Sequence, residues 1–213
     1  MIAIASIEKF SSQSKRWKLL ESELAIPTYD AAYATVKSCI YIFGGCVSAK
    51  VGVYLKDIQC FDASTETCTK LLYSLPFTQC LGSACTDKNN VYVVNPNGKF
   101  VHINVNTKSL SVLYESKSAH LMSFATAFYK HSVFIMGGYD TSGDNYNVRR
   151  FDTRNKKITS AKEMKLPFTS KSNHLFGAVV SISRQFLDRP YVQPEDTATK
   201  RRQPQTSRTS VFP

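Results

Sequence analysis

The sequence predicts an all-β chain built from a repeated unit of about four strands, and three observations predict it. Short apolar runs rich in β-branched and aromatic residues are bounded by turn residues. Two of these runs stop on a glycine pair, "CIYIFGGC" at 39–46 and "SVFIMGGY" at 132–139. The segments after the two glycine pairs match one another, and no stretch longer than ten residues carries a 3.6-residue apolar stripe.

The repeat sets the order of the elements. After Gly44-Gly45 and a polar loop comes "YLKDIQCFDASTETCTKLLYSLPF", 54–77, and after Gly137-Gly138 comes "YNVRRFDTRNKKITSAKEMKLPF", 146–168. Phe61-Asp62 answers to Phe151-Asp152, and Leu75-Pro76-Phe77 to Leu166-Pro167-Phe168. Between them lies a degenerate copy. "NNVYVVNPNG" (89–98) has Asn95-Pro96 where the glycines would be, and "VHINVNTKSLSVLY" (101–114) has Ile103-Asn104 in the Phe-Asp role. Strand starts at Ile40, Val91 and Val133 are 51 and 42 residues apart. A period in the forties is that of a four-stranded propeller blade.

"IEKFSSQSKRWKLL" (7–20) matches "IQCFDASTETCTKLL" (58–72), with Phe10 on Phe61 and Trp17 on Cys68. The expected division is therefore 1–27 as the end of an incomplete blade, 28–77 a repeat, 78–120 the degenerate repeat and 121–168 a repeat. Residues 169–187 then open a further blade, and 188–213 form a basic, proline-rich disordered tail. "DASTET" and "DTRNKK" read as hairpin turns in which an Asp closes the turn on its own backbone. The four-residue apolar runs read as strands buried on both faces. Two glycines at a strand end allow a sharp exit and a close backbone approach. A phosphate-cradling loop would need a following helix and a Lys-Ser/Thr, and neither follows either glycine pair.

Composition narrows the function. The 213 residues are 43% hydrophobic and 20% charged, and no apolar run approaches the ~20 residues of a spanning helix, so no membrane role is expected. Six cysteines at 39, 46, 60, 68, 80 and 85 show no CxxC spacing and read as reduced, buried thiols of an intracellular protein, with a secreted disulfide framework as the minor alternative. The expected location is cytoplasmic, with cytoskeleton-associated or nuclear as alternatives. The net charge is +11, of which +9 lies in residues 1–187. Such a field favours acidic partners. His102, His120, His131 and His174 are scattered, and no metal-spaced cluster or catalytic motif is found, so neither enzyme activity nor a metal or cofactor is expected.

The set "IYIFGG", "CFDASTETC", "SLPF" and Trp17 in "FSSQSKRW" resembles the kelch repeat over roughly residues 3–183. Its structural motif residues here are Gly44, Gly45, Gly137, Gly138, Trp17, Asp62 and Asp152. The resemblance implies a partial kelch-type β-propeller of about three four-stranded blades plus fragments. The style is that of the propeller half of BTB-kelch proteins, which bind a protein substrate or a filament while separate BTB and BACK domains recruit a cullin-3 ubiquitin ligase. No BTB or BACK domain is expected in this sequence, so cullin-3 would be reached only through domains absent from it. Closed propellers have about 4–8 blades, so the sequence reads as part of a larger ring.

The resemblance also departs from the pattern. The hairpin Trp is replaced by Cys68, Leu110 and Ile158 in later copies. The Arg that often follows the blade-closing Pro is replaced by Asp30, Gln79 and Ser170. The resemblance implies binding through the loops after the glycine pairs and between blades. Candidates there are Tyr29, Asp30, Lys50, Gln79, Tyr139, Asp140, Tyr146 and Lys171, with tyrosines favoured for large contact area at low entropic cost. The leading expectation is a non-catalytic protein-binding module. The alternative is a cytoskeletal kelch protein that binds actin or another acidic filament. Nucleic acid is not the expected partner, although "KRRQPQTSRTS" (200–210) resembles a short nuclear-import patch.

Overall fold

A computed structural model describes residues 3–48, 52–116, 120–140, 143–144 and 147–165. Among them every regular element is a strand. β1 (Ile4–Ser11) and β2 (Arg16–Thr28) form an antiparallel hairpin. β3 (Ala32–Val36), β4 (Cys39–Phe43), β5 (Cys46–Ser48), β6 (Val53–Asp62) and β7 (Thr67–Gln79) follow. Their sheet runs β3-β4-β6-β7, with short β5 also on β6.

β8 (Ser83–Asp87), β9 (Asn90–Val94), β10 (Lys99–Asn104) and β11 (Ser109–Glu115) pair consecutively in a second sheet. β12 (Ala125–Tyr129) and β13 (Ser132–Met136) begin a third. After the small hairpin of β14 (Tyr139–Asp140) and β15 (Gly143–Asp144), β16 (Asn147–Asp152) and β17 (Lys157–Lys165) complete it in the order β12-β13-β16-β17. The fold is thus all-β: three antiparallel four-stranded blades and a leading hairpin, a partial propeller.

The leading strand of each blade lay outside the sequence expectation. β3, "AYATV", buries Ala32, Ala34 and Val36 and exposes Tyr33, so it carries a period-two signal in small residues rather than an apolar run. The apolar runs themselves occupy the second position of each sheet.

Strand alternation divides the core between blade boundaries. In the middle blade Val91, Val93, Val101 and Ile103 pack against the first blade, on Ala32, Ala34, Phe43 and Ile58. Tyr92, Val94 and Phe100 point the other way, onto Phe124, Val133, Ile135 and Phe151 of the third. Phe100 and Phe151 stack at 4.3 Å between centroids. Fully burying each such side chain contributes about 1.5–3 kcal/mol. β9 is buried on both faces as expected, but β4 is not: Ile40, Tyr41 and Ile42 are half-buried. Among the described residues the hairpin β1-β2 lies before the first blade.

One turn recurs four times. Phe10, Phe61, Ile103 and Phe151 pair directly with Trp17, Cys68, Leu110 and Ile158. Asp62 Oδ1 accepts the Ser64 N–H at 2.9 Å, Asn104 Oδ1 accepts the Asn106 and Thr107 N–H groups, and Asp152 Oδ1 accepts the Arg154 N–H at 2.9 Å. Ser11 Oγ accepts from Ser14 in the first copy. The residue four after each is left-handed: Lys15, Glu66, Lys108 and Lys156. These bonds hold the Asp62 and Asp152 carboxyls below the ordinary carboxylate range.

The blades are also stitched by backbone. Leu81 donates to the Asp30 carbonyl at 2.9 Å and Ser123 to the Leu81 carbonyl at 3.1 Å, with all three residues at positive φ. Gln59 adds a side-chain stitch, its Oε1 accepting the Ile26 N–H at 2.8 Å while Nε2 donates to the Ile26 carbonyl at 3.0 Å.

Candidate functional site

The topology puts two kinds of connection at two ends of the blades. At one end lie the turns that join first to second and third to fourth strands. They are held together within each blade by Ala63 N to Ser38 O, Val105 N to Asn89 O and Thr153 N to His131 O. At the other end lie the loops after the glycine pairs and the crossings between blades. Of the candidate binding residues, Tyr29, Asp30, Gln79, Tyr139 and Asp140 belong to this glycine-pair end.

Gly44 and Gly45 adopt φ of +64° and +99°. A Cβ on Gly44 would stand 2.7 Å from Gln79 and 2.9 Å from the Leu55 carbonyl, and one on Gly45 would overlap Thr28. The pair therefore serves a close crossing of chain. The residue after it is then fixed: Cys46 exchanges backbone hydrogen bonds of 3.0 and 2.8 Å with Tyr29, and Tyr139, after Gly137 and Gly138, exchanges 2.9 and 3.0 Å bonds with Met122. The same bridge thus recurs in the first and third blades. In the middle blade Asn95 closes a tight turn instead, its Oδ1 accepting the Lys99 N–H at 2.8 Å.

Tyr29 is partly exposed and Asp30 exposed, the latter at φ 52°. A hydrogen bond with the Cys46 thiol, together with desolvation, pushes the Tyr29 phenol up to about 12, so it stays neutral. Tyr139 and Asp140 are partly exposed on the hairpin they start. Lys50, Tyr146 and Lys171 lie outside the described residues. Gln79 is no surface residue: it is 2% exposed because β7 continues through it, and its Nε2 donates to the Phe43 carbonyl at 3.0 Å beneath Gly44. Trp17 is 67% exposed, against Phe10 at 5.2 Å.

Residues 27–71 match the Kelch motif. The match spans β3 to β6 and enters β7, so it covers the first glycine pair and the Asp62 turn. Among solved structures the chain is similar to "Structure of YjhT", at 15% identity and a TM-score of 0.60 over 81% of this chain. The aligned part makes up 62% of that structure's length, and the likeness is one of fold alone. No curated protein matches the sequence. One kelch motif thus lies in the first blade, within a fold like that of the solved structure.

Among the described residues no group of three or more metal-ligating side chains forms. Burial pushes the Cys60, Cys80 and Cys85 thiols up to about 12, which keeps them from being thiolates at neutral pH. Burial lowers His102, which meets Asn90 Oδ1 at 3.0 Å.

The opposite end carries a feature the sequence reading missed. Each two-residue turn holds a left-handed lysine, Lys37, Lys88 and Lys130, and three of the four longer turns hold Lys15, Lys108 and Lys156. All six are exposed. A non-glycine residue there costs roughly 1–2 kcal/mol, and Gly or Asn would relieve it. Arg16, Arg154 and Lys157 flank them. Asp62 and Asp152 are occupied by their turns, and Glu66 pairs with Lys9 at 2.8 Å. The signal in the sequence was a Lys at the fixed turn position in six of the seven hairpins, Glu66 being the exception.

Proposed function

We propose that this chain is a non-catalytic protein-binding segment of a kelch propeller that engages its partner through the glycine-pair end. The observation that carries this reading is the repeated bridge of Tyr29 with Cys46 and of Met122 with Tyr139, which sets Tyr29, Asp30, Tyr139 and Asp140 on rigid backbone. Rigid tyrosines contribute contact area at small entropic cost. The finer reading is a substrate receptor of the BTB-kelch kind, with cullin-3 recruited through other domains. Affinity capture tests it. Tyr29→Ala with Tyr139→Ala should lose the captured proteins while the fold is kept, and recovery of cullin-3 by the parent bearing BTB and BACK domains should not change. Partners retained by the double variant would sink the reading.

The second reading, an acidic filament such as actin, is favoured by the lysine-bearing turn end. Co-sedimentation with filaments should fall steeply as salt screens the contact, and should fall with Lys88→Gln and Lys108→Gln but not with the tyrosine variants.

A further inference from the structure

The third blade has Arg149 where the first has Gln59. Each lies two residues before the Phe of the hairpin, and each pairs with the residue two before a glycine pair, Ile42 or Ile135. Gln59 is 1% exposed and satisfies the Ile26 peptide on the outer strand of the hairpin before it. Arg149 is half-buried on the corresponding side, toward the middle blade, and among the described residues its guanidinium has no hydrogen-bond or ion-pair partner. Its neighbour Arg150, by contrast, meets Ser132 and Asp152.

The reason is a double shortening of the middle blade. β2 and β7 each run 13 residues, whereas β11 runs 7 and ends at Glu115. The long loop after the glycine pair is also replaced by the turn at Asn95–Gly98. An open recess results, lined by Val94, Pro96, Phe100, Phe124, Ile135 and Arg149 among others. Its walls are apolar, and Arg149 is the cation among its lining residues. A half-buried guanidinium without a counter-charge, beside apolar walls, suits a ligand with an apolar body and a carboxylate, because a desolvated charge gains most from a bidentate partner.

We propose that this recess binds an apolar group bearing a carboxylate, with the body on its apolar lining and the carboxylate on Arg149. The inference concerns the middle–third boundary and does not depend on Tyr29 or Tyr139. The carboxylate could belong to a free aromatic acid or to the end of a peptide, and the test separates them. 3-Phenylpropionate and a short peptide ending in a Phe carboxylate are titrated into the full chain, each beside its amide. Backbone amide shifts at Asn95, Gly98, Leu121 and Ile135 report binding.

At least one acid should shift these amides below about 10 mM, with its amide at least tenfold weaker. Binding of the peptide alone would assign the site to peptide ends, and binding of the small acid would assign it to the free carboxylate. Arg149→Gln, the first blade's own residue, should abolish the preference for acid over amide, and Arg149→Lys should retain part of it. Absent shifts for both acids, amides that bind as well as the acids, or an unchanged preference in a folded Arg149→Gln would overturn the proposal.

Discussion

β9 and β4 hold the same place in their sheets, yet they differ in burial. In β9 Val91, Val93 and Val94 are at most 2% exposed and Tyr92 is 8% exposed, while in β4 only Phe43 is buried. β4 belongs to the repeat with the intact glycine pair and the kelch match. β9 belongs to the repeat that lost its glycines. Burial therefore follows the number of flanking blades, not the fidelity of the repeat. Local motif quality shapes turns and crossings, whereas core strength comes from neighbours on both faces.

The largest break in this comparison should come from Phe100→Ala at the middle–third boundary. It should cost about 3–5 kcal/mol, read from the urea midpoint. Ile42→Ala, on the half-covered face of β4, should cost roughly half as much, because water already reaches its side chain. Equal costs would show that the first blade is as well enclosed as the middle one.

Gly45→Ala comes next, since φ of +99° and the overlap with Thr28 leave no room for a methyl. A loss of about 2–3 kcal/mol is expected, by the same denaturation. In the middle blade Asn95 instead closes a tight turn through its side chain, a different exit from the strand.

The repeat, the strand positions of the apolar runs and the Asx turns were legible in the sequence because each rests on local chemistry: β-branched runs, Phe-Asp steps, glycine pairs. The leading strands were not, since "AYATV" has small residues that become core only when the next blade closes on Ala32 and Ala34. Gln79 looked like a loop residue because Pro76 suggested the strand had ended. β7 is an edge strand, where a missing N–H is tolerated, so it continues to Gln79. The half-burial of β4 depends on what packs beside it, which no window of sequence contains. Arg149 was visible only as one of several basic residues, since its lack of a partner depends on the shortened β11.

Gln59→Leu should cost about 1–2 kcal/mol, because it leaves the N–H and carbonyl of Ile26 without their partners. That loss, seen as a lower melting temperature, should be absent from Val101→Leu, the equivalent place in the middle blade, apart from its packing cost.

The smallest effect is acidic. Asp62 and Asp152 have folded pKa values lowered by turn hydrogen bonds, so their contribution is present above the unfolded value near 4 and is lost as pH falls through the lower folded value. Asp152→Asn, which copies Asn104, should flatten the fall of stability below about pH 4. A fall identical to the parent's would remove the turn from the account.

Hydrogen exchange on the native full chain tests the central comparison most directly. The amides of Val91, Val93, Val101 and Ile103 should exchange slowest, near the global unfolding limit, with Ile40 and Ile42 opening at lower free energy. Protection of β4 equal to or greater than that of β9 would contradict the account, because burial between two blades would then not be what holds this propeller segment together.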